Sequence, residues 1–226
     1  MEDGVSIDET ESLSKEEIRQ RARMAQYQTQ KALLVQLDKT SDYGLALLRT
    51  PEYRQRVIDF YTEETSNEAI ARYILDEAES NDIPLALAFS LAWTESRYNP
   101  RAVNRNSSSV DRGLFQLNSR SFPDVAPEQF FDPSLNSRLG LAYLRQCLDA
   151  GESEIVALAM YNAGRTRVSQ GGTPLMTLEY ISRILEHRAD LEERFYARCF
   201  KDATVRAASK GRVRSRLVLD TKKGIK

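Results

Sequence analysis

The sequence predicts an all-α fold, and three observations support this prediction. Apolar residues recur at helical spacing along most of the chain, whereas alternation of period two never extends beyond a few residues. Two capping-box pairs, Ser14 with Glu17 and Thr65 with Glu68, mark helix starts. A third start is marked by proline, at Thr50-Pro51. We therefore expect helices joined by loops, with almost no sheet.

The predicted helices follow one another from Ser14 to about residue 200. Each start combines a capping residue or a proline with the apolar periodicity that follows it. The starts are Ser14, Thr50-Pro51, Thr65, and Asn81 or Asp82 ahead of Pro84, followed by helical patterns near residues 134–149, 153–163 and 176–200.

Charge and periodicity divide the chain into four predicted parts. Residues 1–13 are acidic and polar and are predicted to be disordered. Residues 14–66 are predicted to form a helical extension, and residues 67–200 the main helical domain. Residues 201–226 form a tail with nine Lys or Arg against two Asp. Such a tail is ordinarily a solvated end; contact with an anionic polymer or with lipid headgroups is the alternative.

Composition excludes several classes of protein. A net charge of −1 gives no electrostatic support for nucleic-acid binding. The longest apolar stretch, Ile83 to Trp93, is shorter than the roughly 20 residues that span a bilayer. The single histidine, His187, lies in a charged segment that predicts a surface position, and it excludes a multi-histidine metal site. Cys147 and Cys199 are predicted to be reduced core thiols, with one bridge as the alternative. We expect neither a metal nor a cofactor.

Glu95 is the main candidate for chemistry. It ends the apolar helix that begins at Pro84 and shares a helix face with Ala88, Leu91 and Ala92. Burial and the negative end of the helix dipole should both raise the pKa of its carboxyl group. A carboxyl group that stays protonated near neutral pH is suited to act as a general acid.

Four segments in order give the chain a family resemblance. They are Glu95-Ser96, GLFQLN at 113–118, AMYNAG at 159–164, and Tyr180-Ile181. This set resembles the Slt-type lytic transglycosylases of the goose-lysozyme-like superfamily, which cleave bacterial peptidoglycan. The resemblance covers roughly residues 67–200 and includes the helical segment DPSLNSRLGLAYL at 132–144. It implies a lysozyme-like fold for that region.

Three positions differ from the family pattern. Phe115 stands where the family commonly has Met, and Met160 stands in place of an Ala. The loop at 104–112 is longer than in common members and resembles the transglycosylases that accompany secretion machines. It also resembles the corresponding loop of chicken-type lysozymes.

The resemblance implies a reaction and a set of site residues. Glu95 would protonate the glycosidic oxygen between N-acetylmuramic acid and N-acetylglucosamine, and then act as base while a 1,6-anhydro sugar closes. Peptidoglycan strands would be the partner, and the periplasm or cell envelope the location, although no export signal is visible in the chain. The implied substrate-binding residues are Ser96, Phe115, Gln116, Tyr161, Asn162 and Tyr180, of which Tyr180 could hydrogen-bond Glu95.

Two other interpretations stay open. Asp111 stands where chicken-type lysozymes place a second carboxylate, so a hydrolytic muramidase that uses Glu95 and Asp111 is an alternative. The other is a non-catalytic wall-binding scaffold of a secretion, flagellar or phage assembly. An envelope or secretion-machine partner could bind through residues 14–66 or through the basic tail.

Overall fold

The computed structural model describes residues 14–39 and 42–200 of the chain. Within them, nine α-helices confirm the predicted all-α class. None of the described helices is long and apolar enough to cross a membrane. The helices are α1 (Lys15–Lys39), α2 (Tyr43–Leu48), α3 (Pro51–Thr65), α4 (Glu68–Ser80), α5 (Leu85–Ser96), α6 (Pro133–Ala150), α7 (Glu154–Ala163), α8 (Arg165–Ser169) and α9 (Leu175–Phe195), with a 3₁₀ turn at Gln129–Phe131 and a π-helical turn at Tyr196–Phe200.

A small antiparallel sheet, which the periodicity did not reveal, lies between α5 and α6. Its strands are β1 (Val103–Arg105), β2 (Val110–Arg112) and β3 (Leu117–Asn118), in the order β1-β2-β3. Strands of two or three residues are too short to give an alternating pattern in the sequence.

Helix starts agree with the sequence at Ser14 and differ at two other positions. Ser14 N donates to Glu17 Oε2 at 2.8 Å, as in a capping box. The capping box predicted for Thr65 with Glu68 is wrong, because Thr65 ends α3 and Asn67 caps α4 through its side-chain oxygen. The predicted N-cap of α5 is also wrong: Pro84 holds that position.

One hydrophobic core joins α2 and α3 to the helices that follow them. Tyr61 of α3 stacks on Phe89 of α5 with ring centroids 3.8 Å apart, and Phe60 packs edge-on against Phe195 of α9. The α2 and α3 part of the predicted extension therefore packs on the same core as the later helices. Of the early helices, α1 is mostly exposed and buries Leu33. The predicted disordered segment 1–13 and the basic tail 201–226 lie outside the described residues.

Two predictions about single residues have clear outcomes. Cys147 and Cys199 are free and buried, which agrees with reduced core thiols. The surface position predicted for His187 is wrong, because its ring stacks on Trp93 at 4.1 Å and its Nδ1 lies 2.9 Å from Ser90 Oγ. The many charges around His187 concealed the fact that it lies on the inner face of α9.

Candidate active site

A cleft of about 560 Å³ lies between the end of α5, the sheet, α7 and α9. Its walls are mostly polar, and they combine a helical side with a sheet side. The lining residues are Thr94, Glu95, Asn104, Asn106, Asp111, Gln116, Leu117, Asn118, Ser121, Phe122, Tyr143, Tyr161, Asn162, Ala163, Gly164, Tyr180 and Arg183.

Glu95 occupies the last turn of α5 and faces this cleft. The pKa of its carboxyl group is raised to about 8, mainly by burial. A hydrogen bond from Tyr180 acts in the opposite direction and lowers the pKa. The negative charge of Asp111 raises the pKa further, and the positive charge of Arg183 lowers it. At neutral pH the folded protein therefore holds most of Glu95 in the protonated form, through burial rather than through one strong charge partner.

Tyr180 fixes the orientation of that carboxyl group. Its hydroxyl donates to Glu95 Oε1 at 2.5 Å, and its ring is buried in the core. The pairing follows from the packing of α9 along α5, which brings residues 85 positions apart into contact. A buried hydroxyl with one short bond leaves the other oxygen of Glu95 available to a ligand.

The turn that carries Gln116 is held by its own backbone and by α6. Gln116 has a positive φ of 44°, and its Nε2 donates to the carbonyl oxygens of Ala102 and Gly113 at 3.1 and 2.9 Å. Its donors are thus occupied, and its side-chain oxygen is the group left for a ligand. Gly113 has a φ of +80°, and a Cβ there would lie 2.2 Å from Asn136 Nδ2. A larger residue would therefore displace the turn.

Asn136, which the sequence reasoning missed, anchors this turn to α6. Its Oδ1 accepts from Phe115 N at 2.8 Å, and its Nδ2 donates to the carbonyls of Arg112 and Phe130 at 3.0 and 2.8 Å. The side chain is fully buried. All three contacts are to backbone atoms, so Asn136 sets the position of Gln116 without touching the cleft.

Two predicted substrate-binding residues lie away from the cleft surface. Phe115 is completely buried and packs against Gly140 of α6, so it does not form the wall of a sugar site. Ser96 is absent from the lining, and its hydroxyl lies 2.8 Å from the carbonyl oxygen of Leu114. Ser96 therefore ties the end of α5 to the 113–116 turn. The substrate-binding roles of both residues stay predictions; in this structure their side chains support the 113–116 turn rather than line the cleft.

The AMYNAG segment forms the end of α7 and brings two predicted residues to the cleft. Tyr161 donates through its hydroxyl to the carbonyl of Phe115 at 3.0 Å, and it lines the cleft. Asn162 Oδ1 accepts from Thr177 at 2.8 Å, which leaves the Nδ2 group of Asn162 as a free donor. Gln116 thus offers an acceptor and Asn162 offers a donor on the same cleft.

Asp111 lies on the central strand of the sheet and is surrounded by amides. Asn104 and Asn118 are its register partners on the two neighbouring strands. Asn104, Asn106 and Asn118 donate to its carboxylate at 3.2, 2.8 and 2.6 Å. Because a carboxylate only accepts, each amide must present its NH₂ group to Asp111. The three asparagines were missed, because strands this short leave no pattern in the sequence that would show their alignment.

Arg183 is a further lining residue that the sequence reasoning missed. It follows Tyr180 by three residues on α9 and so faces the same side of the helix. That spacing was a usable signal in the segment TLEYISRIL. Among the described residues, no group of three or more His, Cys, Asp or Glu could hold a metal ion.

Comparison with known proteins finds a family model that matches part of the chain. Residues 72–174 match the family model of the transglycosylase SLT domain. A similar solved structure is that of an inactive mutant of the lytic transglycosylase Slt from Pseudomonas aeruginosa, with 24% sequence identity and a TM-score of 0.47. That alignment covers 56% of this chain and 24% of the other, so the chain corresponds to about a quarter of that protein. The likeness to secretion-associated members stays a prediction. Residues 72–174 thus match a transglycosylase SLT domain, and the described residues have an all-α, lysozyme-like fold.

Proposed function

We propose that the protein is a peptidoglycan lytic transglycosylase that acts at the cell envelope. The observation that carries this proposal is the carboxyl group of Glu95, which faces the cleft with its pKa raised to about 8. The family match supports the same activity. The substrate bond would be the β-1,4 bond between N-acetylmuramic acid and N-acetylglucosamine.

In this reaction Glu95 acts first as acid and then as base. Its proton passes to the glycosidic oxygen, the bond from that oxygen to C1 of the muramic acid breaks, and the N-acetylglucosamine part leaves with a new hydroxyl group. The C6 hydroxyl oxygen then bonds to C1, and its proton returns to Glu95. The product carries a 1,6-anhydro ring, no water is consumed, and the acid is restored for the next turnover.

The other polar groups of the cleft suit the binding of an N-acetylated sugar. Gln116 supplies an acceptor for an N–H or hydroxyl group, and Asn162 supplies a donor for a carbonyl or hydroxyl oxygen. Tyr180 keeps the acid in place. The ring of Tyr161 offers an apolar surface, although its hydroxyl is committed to the backbone of Phe115.

A hydrolytic muramidase is the second candidate, and Asp111 is the observation that favours it. Its carboxylate lines the same cleft and is close enough to Glu95 to raise the pKa of that carboxyl group. A retaining hydrolase would need the two carboxyl groups about 5–5.5 Å apart, and an inverting one about 6.5–9.5 Å. In either case water would end up in the product.

Mass spectrometry of the soluble products tests the two candidates. Purified peptidoglycan is digested with the wild-type protein and with Glu95→Gln, and the released fragments are weighed. Fragments lighter by one water, without a reducing end, support the transglycosylase. Reducing-end fragments support the muramidase. If both proteins sediment with the wall material and neither releases fragments, the protein is a wall-binding scaffold and the proposal is wrong.

A further inference from the structure

Four side chains of α9 form a stripe that faces α5 and the cleft. Thr177 and Tyr180 donate hydrogen bonds to cleft residues at 2.8 and 2.5 Å, and His187 Nδ1 lies 2.9 Å from Ser90 Oγ. Arg183, between them, lines the cleft but makes no hydrogen bond or ion pair within the described chain. The stripe thus contains three side chains with protein partners and one charged group without a partner.

The charges of the cleft explain why Arg183 is unpaired. Among the described lining residues, Arg183 carries the positive charge, and Glu95 and Asp111 are the acids. Glu95 is mostly protonated at neutral pH and bonded to Tyr180, while Asp111 is occupied by three amides. Neither acid therefore forms a close ion pair with the guanidinium group.

An unpaired guanidinium group on a cleft wall suits one kind of ligand group in particular. Its five N–H donors lie in a plane and fit the two oxygens of a carboxylate. Neutral sugar hydroxyls match this geometry less well. The substrate class of the proposed function supplies carboxylates, because each muramic acid carries a lactyl group at C3 that is free or extended by an acidic peptide stem.

The position of Arg183 fits that branch. Three residues along a helix correspond to about 4.5 Å of axial rise, so Arg183 lies roughly one turn from Tyr180 and from the acid that Tyr180 holds. In the proposed reaction C1 of the muramic acid lies at Glu95, and C3 belongs to the same ring. The branch on C3 therefore starts within the reach of a long side chain at Arg183.

We propose that Arg183 is a specificity-determining residue that binds a carboxylate on the lactyl–peptide branch of muramic acid, so that the cleft selects anionic glycan over neutral glycan. This inference rests on the proposed function for its substrate class. The competing role is purely electrostatic: the positive charge of Arg183 would act on Glu95 and make no contact with the substrate.

The test compares the binding affinities of paired variants for paired ligands and does not depend on turnover. Affinity for soluble, stem-bearing glycan fragments is measured by calorimetry with Glu95→Gln, with Glu95→Gln/Arg183→Gln and with Glu95→Gln/Arg183→Lys. Each protein is titrated with native fragments and with fragments whose carboxyl groups have been converted to amides. Glu95→Gln/Arg21→Gln is the matched control, since Arg21 is an exposed arginine of α1 outside the cleft. A third fragment without peptide, which keeps the lactyl carboxylate, separates the two sources of charge.

The proposal predicts that amidation weakens binding to Glu95→Gln by on the order of tenfold, as expected for a charge-assisted hydrogen-bonded pair. In the Glu95→Gln background, the Arg183→Gln variant should bind native and amidated fragments equally weakly. The Arg183→Lys variant should recover part of the preference for native fragments, and the Arg21→Gln control should retain all of that preference. Equal sensitivity to amidation with and without Arg183 would overturn the proposal. Product analysis with the wild-type protein is independent of this cycle, so the failure of the activity and the failure of the carboxylate contact are distinguishable.

Discussion

The cleft has a helical wall, which includes Glu95 of α5, and a sheet wall, which includes Asp111 of β2. The carboxyl groups of these two residues lie in different environments. Glu95, at the end of an apolar helix, is desolvated and receives one hydrogen bond from Tyr180. Asp111, on a short sheet, receives hydrogen bonds from three side-chain amides. Burial favours the neutral form of Glu95, whereas the environment of Asp111 is a set of hydrogen-bond donors. The comparison shows how two like groups in one cleft can be suited to different roles.

The largest expected effect is the loss of the helical acid. Glu95→Gln keeps the shape and an acceptor for Tyr180 but removes the transferable proton. We expect cleavage of peptidoglycan to fall by on the order of 10²–10⁴ with binding to the wall retained. Release of soluble fragments and co-sedimentation measure the two properties. Glu128→Gln, an exposed change outside the cleft, is the matched control and should leave both unchanged. Equal activity of Glu95→Gln and the wild type would contradict the assigned role.

Removal of the hydrogen bond from Tyr180 should have the next largest effect. Tyr180→Phe leaves the core packing intact, and we expect a loss of roughly tenfold in rate, because one hydrogen bond of this kind contributes about 1–2 kcal/mol. The bond lowers the pKa of Glu95, so its removal should raise that pKa. The basic limb of the pH–rate profile should therefore move to higher pH. A profile that moves to lower pH, or an unchanged rate, would be inconsistent with this contact. Tyr27→Phe, at an exposed tyrosine of α1, serves as the control.

Substitution of Asp111 on the sheet wall tests whether one or two carboxyl groups take part in the reaction. If Glu95 works alone, Asp111→Asn should reduce the rate by roughly a few-fold, as expected when a nearby charge rather than a reacting group is lost. The charge of Asp111 raises the pKa of Glu95, so the basic limb should shift to lower pH. A loss as large as that of Glu95→Gln would instead support the two-carboxylate hydrolase. Asp124→Asn, an exposed loop change outside the cleft, controls for net charge.

The last expected effect is on stability rather than on rate. Because the pKa of Glu95 is about 8 in the folded protein and 4.5 for an unperturbed glutamate, folding takes up a proton between these pH values. Ionised Glu95 therefore costs stability that grows as pH rises from 4.5 to 8. Glu95→Gln should be more stable than the wild type by about 3 kcal/mol at pH 7, because pH 7 lies 2.5 units above 4.5 and each unit contributes about 1.4 kcal/mol, and the gain should nearly vanish near pH 4.5. Urea denaturation at both pH values measures this difference, and equal gains at both would count against the raised pKa.

The sequence predicted the helical side of the cleft much better than the sheet side. The family resemblance carried by the order of Glu95, Gln116, Tyr161 and Tyr180 predicted one site for them, and all four line the cleft. The amides around Asp111 could not be predicted, since strands of two or three residues leave no pattern. For the same reason the burial of Phe115 was missed: it depends on contact with α6, which is a tertiary feature.

The central claim is that the fold keeps Glu95 protonated at neutral pH, and a titration of that carboxyl group tests it most directly. Side-chain carboxyl carbons of ¹³C-labelled glutamate are followed by NMR between pH 3 and about 10, spanning the free and shifted values. The signal missing from Glu95→Gln identifies the residue. The structure predicts a midpoint at about 8. A midpoint near 4.5, the ordinary value for a glutamate, would mean that Glu95 is ionised at neutral pH, and would contradict its role as the acid.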